Sequence, residues 1–112
     1  MMMIARRWSG MVLREQSTEY LRLMREVAIS DYRSIDGNLA AMCLHAARGH
    51  VVEVTMLTFW RDMDAIAAFA GAEPTIAKYY DFDAKFLLWQ AREVEHFAVD
   101  AADFTPDFMS AP

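Results

Sequence analysis

The chain has 112 residues, 55% of them hydrophobic and 24% charged, with a formal net charge of −5. That size and composition fit one globular domain with a core of its own and exclude a disordered chain. The acidic balance argues against nucleic acid as a partner, and no apolar run nears the ~18 residues of a membrane span.

The lone cysteine, Cys43, rules out an internal disulfide and a zinc site built on cysteines. The opening Met1-Met2-Met3-Ile4-Ala5 is cut at once by Arg6-Arg7, too short for the core of a signal peptide, so a cytoplasmic location is expected.

In chain order, residues 3–12 read as a strand and residues 13–28 as a helix. Tyr20, Leu21, Met24, Val27 and Ala28 form one apolar stripe at helical spacing. Residues 29–38 carry turn chemistry in Ser34-Ile35-Asp36-Gly37-Asn38 and are expected to be a loop. A strand over 39–47 and a β-rich strand over 51–60 flank Arg48-Gly49, a hairpin signal. Asp62 is placed to cap a helix over 63–70, and Gly71 to stop it. Pro74 suits the start of a short third helix over 75–80. Residues 81–88 read either as a helical turn or as the start of a strand, and residues 91–99 as the last strand. The order β-α-β-β-α-β predicts an α+β, ferredoxin-like domain over residues 1–100. It has a four-stranded antiparallel sheet with helices on one face, followed by a tail over 101–112.

The strands do not alternate between apolar and polar as a half-wet sheet should. Val52, Val54, Met56 and Trp60 share one face, while Val51, Thr55, Leu57 and Phe59 share the other, where only Glu53 is charged. Two helices cover one face only. A second copy of the chain is therefore expected over the other, as a two-fold homodimer packed sheet on sheet.

Several segments together resemble a known family: Ile4-Ala5-Arg6-Arg7-Trp8-Ser9-Gly10 with Glu19-Tyr20-Leu21, the loop from Asp31 to Asn38, Thr58-Phe59-Trp60-Arg61-Asp62 with Ala65-Ile66-Ala67-Ala68-Phe69-Ala70-Gly71, and Ala77-Lys78-Tyr79-Tyr80. Over about residues 3–100 the chain resembles the antibiotic biosynthesis monooxygenases, dimeric α+β barrels. The resemblance implies a homodimer with a pocket between helices and sheet in each subunit. Some members oxygenate aromatic, quinol-like substrates with O2 and neither metal nor flavin; another branch binds and degrades haem. That branch carries an asparagine, a tryptophan and a histidine where this chain has Trp8, Phe69 and Tyr79 or Tyr80, so haem is disfavoured. No cofactor and no metal are expected.

The same positions should still line the pocket. Trp8, Tyr32 and Phe69 are candidate pocket walls, with Tyr79, Tyr80 and His96 as candidate catalytic groups. The alternative is that these aromatics simply fill core and that His96 is satisfied by a backbone or carboxylate partner. His45 and His50 are read as an edge or interface residue and a turn residue. Of Arg6 and Arg7, which alternate in parity on the first strand, one points inward or into the dimer seam. It would either stabilise a phenolate or enolate, or form a salt bridge with Glu93 or Glu95 across the dimer. The three histidines lack metal-site spacing, Asp81-Phe82-Asp83 lacks the rest of a calcium loop, and no phosphate-binding or nucleophile-elbow motif is present. The reading is a small homodimeric monooxygenase acting on an aromatic or quinol-like metabolite. The alternative is a non-catalytic barrel that binds a small apolar ligand.

Overall fold

A computed structural model describes residues 3–78 and 80–110, with the side chains of 109 and 110 left aside. Strand β1 (Ile4–Leu13) leads through a 3-10 turn, Arg14–Gln16, into a helical run. That run comprises α1 (Ser17–Leu23), a π turn at Met24–Ala28 and α2 (Ile29–Ser34). The helix therefore continues through Ser34, six residues past the expected end and into the expected loop. Its buried residues Tyr20, Met24, Ala28 and Tyr32 explain why, because the apolar stripe carries on at steps of four. Four residues overshoot an α-helical turn by about 40°. Three such steps would swing Tyr32 well away from the sheet, and the wider π turn takes some of that rotation back.

Strands β2 (Asn38–Arg48) and β3 (Val51–Trp60) form the expected hairpin, with Gly49 in the left-handed region its turn requires. Helix α3 (Met63–Ala70) begins where Asp62 accepts a hydrogen bond from the Ala65 N–H at 2.9 Å and ends at Gly71. Of the expected 75–80 helix, the described residues 75–78 and 80 form none. The backbone instead bonds sideways, with Ala77 N–H donating to the Arg92 carbonyl and Val94 N–H to the Thr75 carbonyl around an isolated bridge, Ile76 to Glu93. The ambiguous stretch resolves into both readings in turn, a helical turn α4 (Asp83–Phe86) and then β4 (Leu87–Gln90). The last strand is shorter than expected, β5 (Glu95–Ala98). β4 and β5 both lie antiparallel along β1, interrupted where residues 92–94 turn away to meet the 75–77 segment.

The sheet order is β2-β3-β1-β4, with β5 also on β1, all pairs antiparallel. It is the ferredoxin-like α+β arrangement with five strands rather than four, because the last strand is split. Burial alternates along β3, with Val52, Val54, Met56, Thr58 and Trp60 beneath the helices. The opposite face is left open, with Leu44 46%, Trp89 53% and Phe97 45% exposed. No helix of the described residues is long and apolar enough to cross a membrane.

Candidate functional site

The pleat of β1 sends Arg6 and Trp8 under the helices and Arg7 to the open face. Arg7 pairs with Glu95 of its own chain, so the ion pair expected across a dimer is satisfied internally. Arg6 is only 2% exposed, yet its Nε and Nη2 have no hydrogen-bond partner and no carboxylate of the described residues forms an ion pair with it. Two more buried nitrogens on this face are also unpartnered, Trp8 Nε1 and His96 Nε2. His96 faces Arg6 in the β1–β5 register. A Cβ on Gly10 would come within 2.8 Å of the Trp8 ring and 2.9 Å of Leu87, so the glycine leaves the indole room along the strand.

Opposite these donors stands an aromatic wall. Tyr32 stacks on Phe69 at 4.4 Å between centroids, and Trp60 closes the back at 6.2 Å from Tyr32 and 5.6 Å from Phe69. The Arg6 guanidinium lies 5.4 Å from the Phe69 centroid, with Lys78 Nζ 4.3 Å from the same ring. Asp31 on α2 accepts from the Tyr80 hydroxyl at 2.7 Å and from Lys78 Nζ at 3.1 Å. Asp83 is buried, accepting from the Tyr20 hydroxyl at 2.9 Å and from the Tyr80 N–H at 2.8 Å. These two carboxylates fasten Lys78 and Tyr80 onto the helices, where they form one side of the site.

Burial and its bond to Asp31 raise Tyr80 above the ordinary tyrosine range, and burial pushes Tyr32 up to about 12 against the pull of Arg6. Both phenols stay protonated near neutral pH, and the Tyr80 proton is committed to Asp31. Burial lowers Arg6, but a guanidinium keeps its charge throughout the working range. His96 is lowered, first by burial and then by the Arg6 charge, so it stands neutral with a free nitrogen. The sign follows. The unfolded chain binds a proton at His96 more readily than the folded chain, so this group costs stability as pH falls below the ordinary histidine value of 6.5. Thermal melts between about pH 8 and pH 5 should show a smaller acid loss for His96→Gln than for the natural chain.

The shape has solved counterparts. A Bacillus cereus protein named as a candidate antibiotic biosynthesis monooxygenase superposes with a TM-score of 0.65 at 13% identity, over 94% of this chain and all of that one. A similarly named Nitrosomonas europaea protein gives 0.62 at 12%, over 87% and 88%. A second Nitrosomonas europaea protein, of unknown function, gives 0.67 at 15%, over 94% and 96%. This chain has their fold. No protein-family model matches it, and no curated protein does.

Within that fold, Tyr32, Phe69, Tyr80 and His96 gather around Arg6, and Trp8 lies two residues further along the same sheet face. Tyr79 lies outside the described residues. His45 shares the inner parity but sits exposed near the hairpin, and His50 is a solvated turn residue. Sequence reasoning placed no weight on Asp31, Lys78 or Asp83 as parts of the site. Their partners come from distant segments, and Asp31 falls in what reads as a loop. Among the described residues no group of three His, Cys, Asp or Glu side chains is arranged to hold a metal ion. A separate hollow of about 620 Å³ lies on the open sheet face, lined by Arg7, Met11, Leu44, Leu57, Trp89 and Phe97 among others.

Proposed function

We propose that the chain is a small monooxygenase that oxidises an aromatic, quinol-like substrate with O2, bound between the helices and the sheet. One observation carries this reading: buried, unpartnered N–H groups face an aromatic wall inside the layer. Unsatisfied buried polar groups are costly, and persist where a ligand completes them. A flat ring would lie against Tyr32, Phe69 and Tyr80, and His96 would take the substrate's hydroxyl proton, leaving an electron-rich anion that passes an electron to O2. The overall balance needs no other reductant. A dihydroxyaromatic and O2 give a hydroxyquinone and water, two electrons coming from the hydroquinone and two from the C–H bond that becomes C–OH.

The working unit in this reading is a homodimer. Leu44, Leu57, Trp89 and Phe97 form an apolar open face whose natural cover is the same face of a second copy. Oxygen uptake with 1,4-dihydroxynaphthalene tests the activity. One O2 should be consumed per hydroxyquinone formed, His96→Gln should lose about a hundredfold or more, and Tyr80→Phe should lose less. Uptake no faster than in buffer across a panel of dihydroxynaphthalenes would favour the non-catalytic apolar-ligand reading.

A further inference from the structure

Arg6 presents a problem of charge that the chain itself does not solve. A guanidinium removed from water needs acceptors and a counter-charge. The chain holds 16 acidic residues, yet none forms an ion pair with Arg6 among the described residues, and the Phe69 ring faces it only as a π surface. Asp31, the carboxylate of the aromatic wall, is already shared by Lys78 and Tyr80. Arg7, one residue on, has its carboxylate in Glu95. The two groups nearest Arg6 along the sheet, His96 and Trp8, present further unpartnered nitrogens and no negative charge. The polar neighbours of Arg6 on the inner face are the neutral Tyr32 hydroxyl, which bonds it, and the neutral His96, so the guanidinium has no counter-charge.

We propose that Arg6, flanked by Trp8 and His96, is an anion site that takes a ring-borne anionic oxygen of the ligand, a carboxylate or an ionised hydroxyl. This rests on the inner-layer site of the preceding section and adds the charge of what fills it. The ring lies against Tyr32 and Phe69, and the oxygen accepts from the guanidinium, whose planar fork suits two such bonds. Arg6 thereby selects aromatic acids and acidic phenols over neutral rings of the same shape. In the oxidation it holds the substrate anion from which O2 takes its electrons.

Titrations with 2-naphthoate and 2-naphthamide, matched in shape and differing in charge, test the inference without any turnover. The expected result is that naphthoate binds about tenfold tighter or more. The Nε–H signals of Arg6 and Trp8 should move in the NMR spectrum of the natural chain, and Arg6→Met should erase the preference. Arg6→Lys, which keeps the charge without the fork, should retain part of it and guards against a Met variant that folds poorly. 2-Naphthol separates the two sources of anion: naphtholate absorption on binding near neutral pH marks the ionised hydroxyl. Equal binding of naphthoate and naphthamide would overturn the anion site while leaving the pocket. A preference that survives in Arg6→Met would place the anion elsewhere and overturn it too. Binding of neither would overturn both the pocket and the anion site.

Discussion

Trp60→Ala should lower the stability of the folded chain by about 3–5 kcal/mol, the cost of emptying a fully enclosed aromatic site. Trp60 is 0% exposed, backs both Tyr32 and Phe69, and donates from Nε1 to Thr58 Oγ1 at 2.8 Å. Its removal opens a cavity behind the wall and leaves the Thr58 hydroxyl with only its own bond to the Arg6 carbonyl. For a domain of this size the melting temperature should fall by more than ~10 °C. Urea unfolding followed by circular dichroism gives the value, with Val27→Ala on the exposed side of the helical run as the control. A loss below about 1 kcal/mol would mean that the wall does not rest on Trp60.

The second large effect is on assembly. Leu57→Asp lies in the middle of the open face, opposite Arg7 on β1 and Met42 on β2. In a two-fold interface each substitution appears twice, so two carboxylates would be forced out of water against apolar neighbours. At about 2 kcal/mol each, the dimer should weaken by roughly a thousandfold. Sedimentation at micromolar concentration should find the natural chain as a dimer and Leu57→Asp as a monomer with unchanged helix content. A natural chain that sediments as a monomer would remove the dimer and leave the inner site to stand in one subunit.

What the sequence shows and what it hides divide along a physical line. β3 and α3 lie at their expected bounds because their signals are local: a β-branched run for one, an Asp cap and a Gly stop for the other. The extension of the first helix is hidden by Ser30, Asp31 and Ser34, poor helix formers that read as a loop. Tertiary contacts of Tyr32 decide that segment instead. The 75–77 segment and the split last strand depend on each other, since Ile76 bridges to Glu93. Neither stretch carries that pairing in its own pattern.

The site divides in the same way. The aromatic positions Trp8, Tyr32, Phe69 and Tyr80 are visible through the resemblance, and strand parity allows His96 to reach the inside. Parity also sends one of Arg6 and Arg7 inward or into the dimer seam. Which one, and that the buried one lacks a carboxylate, depends on how β5 meets β1. The role of Asp31 as the shared acceptor of Lys78 and Tyr80 spans 47 and 49 residues of chain and leaves no local trace.

The most direct test of the inner-layer site is a crystal structure of the protein grown with 2-naphthoate. The ring should lie against Tyr32, Phe69 and Tyr80 with its carboxylate on the Arg6 guanidinium, Lys78 and Tyr80 shifting to admit it. Naphthoate seated instead in the open-face hollow beside Arg7, with the Arg6 guanidinium still unpartnered, would contradict the account.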